Sequence, residues 1–136
     1  MAIGLDPGPV RLYNPAFSSY TTHSPSTSGK PYGVDFKYET HEIIMGSDNS
    51  KAYYLTDDSS PLRSMGGIVW EAKYARKNGY FMFGGEDKKV YIYNSSKNLI
   101  YTFTEPVRTI YTADFTPDGC SLAVGSGTVI YIYTNV

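Results

Sequence analysis

One cysteine, two histidines and one tryptophan are all that the 136 residues contain of those types. Cys120 alone cannot form an internal disulfide or a cysteine-based metal site within one chain, so a reduced, cytoplasmic setting is expected. Charge of either sign is sparse: 12 Lys and Arg against 13 Asp and Glu leave a net charge of −1. Binding to phosphate backbones or anionic membranes needs concentrated basic side chains, so neither a nucleic acid nor a membrane is expected as a partner. The sequence does not open on a basic segment followed by an apolar run of signal-peptide length, and no stretch approaches membrane-spanning length. Helical periodicity is missing too, because no window carries apolar residues at i, i+3, i+4 and i+7 for the length of a helix.

What is present points the other way. Hydrophobic residues make up 41% of the chain, enough for one folded domain, and 14 Tyr stand beside 6 Phe. Aromatic and β-branched enrichment favours strands, so an all-β fold is expected.

Three segments align: "VDFKYETHEIIMGSDNSKAYYL" from Val34, "AKYARKNGYFMFGGEDKKVYIY" from Ala72 and "ADFTPDGCSLAVGSGTVIYIY" from Ala113. Gly46, Gly84 and Gly125 are 38 and 41 residues apart, and Phe36, Tyr74 and Phe115 keep the same separations. A partial fourth copy, "GLDPGPVRLYN" from Gly4, aligns without a gap to "GGEDKKVYIYN" from Gly84, an offset of 80 residues. Within a repeat, short apolar runs are bounded by turn residues. In "FTPDGC", Pro117 presets φ and Gly119 accepts a positive φ, which makes a tight hairpin. In "DKKVYIYN" both alternating sets are bulky and apolar, Val90 and Ile92 on one face and Tyr91 and Tyr93 on the other. Such a strand is expected to be covered on both sides.

A period near 40 with several strands per unit marks a β-propeller blade. The residues "TADFTPDGCSLAVGSGTVIYIY" resemble a WD40 repeat, whose inner strand ends in an aromatic before a Ser/Thr-Pro-Asp-Gly turn and whose third strand ends in Trp-Asp. Tyr93-Asn94, Tyr13-Asn14 and Tyr133-Thr134 stand where that Trp-Asp pair would be. The family's Gly-His pair is replaced, with Ser64 and Glu105 at the corresponding places, while Asp48 and Asp87 hold the turn-Asp position. The resemblance implies WD40-like blades in an incomplete ring of about three blades plus partial strands. Residues 1–31 would form a partial blade and loop, 32–66 and 67–104 complete blades, and 105–136 a blade without its outer strand. The partial blade would hold a third strand from Pro9 to Asn14 and an outer one from about Phe17 to His23. Residues "DDSSPLR" interrupt the outer-strand region of the first complete blade. An open arc leaves apolar blade faces bare, so a protein partner or a second copy is expected to complete it.

Catalytic inventory is thin. His23 and His41 read as solvated loop residues, and no G-x-S-x-G elbow frames a nucleophile. Asp57, Asp58, Asp48 and Asn49 have oxygen ligands suited to a hard cation, but without the spacing of a dedicated site. No cofactor and no metal are expected. Arg76, Lys77 and Lys97 fall on one rim of the middle blade, with Lys88 and Lys89 on the opposite rim, and form a candidate docking patch for an acidic partner. The expected function is a non-enzymatic protein–protein interaction scaffold, part of a multi-protein assembly. Two alternatives remain open. One is a sugar-binding propeller, raised by the tyrosines. The other is a propeller-type enzyme, which would use Asp35, Lys73 and Asp114 on the inner strands.

Overall fold

A computed structural model describes residues 2–4, 10–16, 18–23, 29–37, 39–55 and 60–136. Their fourteen strands form four antiparallel sheets, each with its strands in sequence order. The first contains β1 (Ala2–Gly4), β2 (Val10–Tyr13) and β3 (Tyr20–His23). The second contains β4 (Pro31–Phe36), β5 (Ile43–Ser47), β6 (Lys51–Leu55) and β7 (Pro61–Ser64). The third contains β8 (Val69–Tyr74), β9 (Phe81–Gly85), β10 (Val90–Tyr93) and β11 (Leu99–Phe103). The fourth contains β12 (Ile110–Phe115), β13 (Ser121–Ser126) and β14 (Val129–Thr134). No helix occurs among the described residues, and none is long and apolar enough to cross a membrane.

The turns are those the sequence encodes. Gly119 has φ +75° and its N–H donates to the Thr116 carbonyl at 2.8 Å, closing the β12–β13 hairpin. At the Asp position of the WD40-like pair, Asn14 and Asn94 turn the chain into the outer strand. Asn94 Oδ1 accepts the Ser96 and Asn98 amides and Asn14 Oδ1 accepts those of Ser18 and Ser19. Pro61 opens β7, a short edge strand whose first residue can lack a donor.

The strand β1 is an addition to what the sequence suggests, since the first partial sheet was expected to start near Pro9. The gapless alignment already contained it: Gly4 pairs with Val10 as Gly84 pairs with Val90. Pro9 and Phe17 themselves lie outside the described residues, as do Asp57 and Asp58.

The sheets stack face to face, and the core is divided among the junctions. Val10, Tyr53 and Leu55 share one cluster with the partly buried Leu12. Ala52 and Tyr54 of the second sheet lie in a cluster with Tyr91 and Tyr93 of the third. Val90 and Ile92 of the third lie with Leu122, Val124, Tyr131 and Tyr133 of the fourth. The alternating side chains of β10 therefore enter two different junctions, and all four are buried, none more than 7% exposed. Phe81 stacks parallel on Tyr93 with ring centroids 5.2 Å apart.

The recurrent glycines mark where these sheets touch. A Cβ on Gly46 would strike the Val69 carbonyl of the next sheet, and one on Gly84 would sit 2.8 Å from Ile110 Cγ2 of the sheet after it. At Gly125 the obstacle is Thr112 Cγ2, at 2.9 Å within the same sheet. Gly46→Ala is expected to cost about 1–3 kcal/mol, because backbone must move to admit the methyl. Gly125→Ala should cost clearly less. Urea unfolding of the two variants checks the order, and equal losses would contradict it.

Candidate functional site

The inner strands β8 and β12, which open the third and fourth sheets, each have a ladder partner on one side only, so part of their backbone N–H groups point away from the sheet. Carboxylates of the preceding sheet take them. Asp35 Oδ2 on β4 accepts the Tyr74 amide of β8 at 2.8 Å, while Oδ1 accepts the Phe36 amide. Glu71 Oε2 on β8 accepts the Ala113 amide of β12 at 3.2 Å, and Oε1 accepts the Ala72 amide. Burial pushes the Glu71 carboxyl above its ordinary value, outweighing the Ala113 and Ala72 amides and Lys73, which pull it down. Asp114 occupies on β12 the place that Asp35 occupies on β4. It is exposed and holds no amide among the described residues.

Below these clasps, at the end where β8 turns into β9, opens a cavity of about 690 Å³. Its wall brings together the inner-strand residues Asp35, Lys73 and Asp114 with Arg76 and Lys77 of the β8–β9 turn. Lys37 and Glu39 also line it, so four cations face three carboxylates. Lys97 belongs to the same end of the third sheet, in the β10–β11 turn, but it is not part of the cavity wall. Its ammonium lies over the Tyr54 ring of the second sheet, 4.5 Å from the centroid. Asp118 on the fourth sheet is held below its ordinary value, chiefly by the Thr116 hydroxyl and the Cys120 amide, with Lys77 adding to the effect.

The other end of the inner strands carries a feature the sequence reading missed. Each inner strand has a register irregularity near its start, between Pro31 and Val34, Val69 and Glu71, and Ile110 and Thr112. Tyr32, Trp70 and Tyr111 sit in these bulges. Tyr32 and Trp70 have ring centroids 4.4 Å apart, and Trp70 and Tyr111 5.4 Å apart, giving a continuous run of rings. The run is partly open, with Tyr32 43% and Tyr111 61% exposed. The Trp70 indole N–H is shielded from water and has no acceptor among the described residues. Their separations, 38 and 41 residues, match those of the glycines, and that was the signal available in the sequence.

The remaining candidates are structural. Asp48 Oδ1 accepts the Lys30 amide, and His23 Nε2 lies 3.3 Å from the Thr21 hydroxyl. His41 occupies a turn at φ 59°. Side-chain pairs also tie the third strands to their surroundings. Arg63 Nε donates to the Tyr93 hydroxyl at 2.6 Å, and Tyr133 donates to Glu105 at 3.4 Å. Asp87 accepts the Tyr91 hydroxyl at 2.8 Å, and burial pushes that phenol up to about 12.

No protein-family model matches the sequence, and no curated protein does. A chain in the crystal structure of a mitotic checkpoint complex is similar over 98% of this chain and 44% of its own, with a TM-score of 0.79 and 17% sequence identity. The chain is a partial β-propeller. It spans less than half the length of that solved chain, and the likeness speaks for the fold alone.

The clasp at Glu71 has a pH signature. Its raised folded-state pKa means its contribution is complete below the ordinary glutamate value and is lost as pH rises through the folded value. Between about pH 4 and pH 7 the stability of the chain should therefore fall relative to that of Glu71→Gln. Urea unfolding across that range checks it; a difference that stays flat or grows in favour of Glu71 would contradict it.

Proposed function

We propose that the chain is a non-enzymatic protein–protein interaction module, a WD40-like propeller segment working within a multi-protein assembly. The observation that carries this is the uncovered face of the last sheet, where Ile130 is 72% and Ile132 62% exposed. Exposed apolar side chains grouped on one sheet face mark an interaction surface. The free edge of β14 adds unpaired backbone groups suited to strand addition. The solved chain it resembles belongs to a multi-protein complex, which supports protein partners for this one. Asp35 supports a non-catalytic reading of the inner-strand aspartates, because both of its oxygens are occupied by backbone amides. The exposed thiol of Cys120 fits a reducing, cytoplasmic setting.

A second reading, a sugar-binding propeller, is favoured by the aromatic run of Tyr32, Trp70 and Tyr111. Partly open ring faces next to an unsatisfied indole donor suit a ligand with one apolar face and hydroxyl acceptors. A glycan-binding screen separates the two readings.

Isolation of the native protein with its neighbours, followed by intact mass and stoichiometry, tests the main reading. Recovery in a defined assembly is the expected result, and recovery of the native protein only as a partner-free 15.1 kDa monomer would contradict it. Within such an assembly the rim patch of Arg76, Lys77 and Lys97 is the proposed contact for an acidic surface. Reversing charge at Arg76 and Lys77 should lower partner recovery several-fold at low salt and less at high salt. Unchanged recovery would remove the rim from the account.

A further inference from the structure

The uncovered face of the fourth sheet repeats the face of the second, whose occupant is visible, and shares its glycine and third-strand positions with that of the third. On the second sheet the forward side is made by Asp35, Gly46, Ala52 and Tyr54. Against it lie an inner-strand amide (Tyr74), an inner-strand carbonyl (Val69) and the alternating pair Tyr91 and Tyr93 of the next sheet. On the third, Glu71, Gly84, Val90 and Ile92 meet the Ala113 amide, Ile110, and the pair Tyr131 and Tyr133. On the fourth sheet the positions of the second are held by Asp114, Gly125, Ile130 and Ile132, with Gly46–Ala52 pairing matched by Gly125–Ile130, whereas on the third Lys73 stands at the place of Asp35 and the clasp comes from Glu71, two residues earlier. Tyr111 ends the aromatic run with its outer side open.

We propose that this face binds one further antiparallel sheet that carries its own inner strand. That strand would give a backbone N–H to Asp114, pass over the notch at Gly125, present a bulge aromatic to Tyr111 and lay an alternating aromatic pair on Ile130 and Ile132. This rests on the interaction-module reading and names the partner's chemistry. Three of its elements are independent. Asp114 is a carboxylate at the place where Asp35 of the second sheet holds the Tyr74 amide. Gly125 leaves out a side chain where Gly46 and Gly84 do so to admit the next inner strand. Ile130 and Ile132 are exposed where their counterparts Ala52 and Ile92 are fully buried.

A second copy of the chain does not meet these requirements. Its first sheet has Arg11 and Tyr13 at the places of Tyr91 and Tyr93, but its inner edge among the described residues is β1, paired with β2 as β9 is with β10, so that sheet presents no described inner strand to Asp114. The leading faces of its other sheets are already covered.

The test supplies such a sheet from the chain's own sequence. Repeating residues 95–134 after Thr134 adds an outer strand to β14 and then an inner strand with two successors, carrying Tyr111, Tyr131 and Tyr133 again. In a Cys120→Ser background, Ile132→Cys at the original position should react rapidly with a thiol reagent in the unextended chain. In the extended chain it should react about tenfold more slowly or less. Asp114→Ala at the original position should restore part of the reactivity. Equal reactivity in an extended chain that keeps its far-ultraviolet circular dichroism and urea midpoint would overturn the proposal. Sedimentation of the unextended chain supplies a measurement that does not depend on the extension folding. A monomer is expected; an assembly of copies dissolved by Ile132→Lys would show that the occupant is a second copy and overturn the proposal. Neither result bears on the rim, so the broader interaction reading stands or falls separately, on partner recovery.

Discussion

A strand at the inner edge of a radial sheet has hydrogen-bonding neighbours on one side only, and its outward N–H groups must find acceptors in a place too crowded for another strand. In this chain the acceptors are carboxylates of the preceding sheet: Asp35 for Tyr74 and Glu71 for Ala113. A hydrogen bond to a charged group contributes about 1.5–3 kcal/mol, and an orphaned buried amide costs a comparable amount. Gly46 and Gly84 follow from the same closeness, since the inner strand that approaches the carboxylate must also pass the preceding sheet without a Cβ in the way.

The clasps divide the molecule into a covered part and an uncovered one. Where a following sheet exists, apolar pairs on the third strands are buried and the inner-strand carboxylates are engaged. Where none follows, the counterparts Ile130, Ile132 and Asp114 are exposed. Rim charge, axial rings and open face are therefore different surfaces of one repeated unit. They sit at its turns, at its inner-strand bulges and at its last junction respectively.

Much of this was legible in the sequence. The glycine and aromatic separations located the repeats, and the double apolar alternation of Val90 to Tyr93 required a strand covered on both sides, which the two clusters bear out. The meander also puts Arg76, Lys77 and Lys97 at one end of their sheet. Other features were hidden for physical reasons. A clasp joins a side chain of one repeat to a backbone amide of the next, and an amide carries no residue label. The bulges that gather Tyr32, Trp70 and Tyr111 are backbone irregularities within strands that otherwise read as regular. The partner of Lys97 is a ring in the neighbouring sheet, reached across a junction that no single repeat encodes.

Native-state hydrogen exchange of the Tyr74 and Ala113 amides, read residue by residue, tests the central claim most directly. Neither N–H belongs to a strand ladder in its own sheet, so its protection reports the carboxylate across the junction. The account predicts that both exchange as slowly as ladder amides of the same strands, and that Asp35→Ala releases Tyr74 and leaves Ala113 protected. Rapid exchange of both amides in the folded wild-type chain would contradict it.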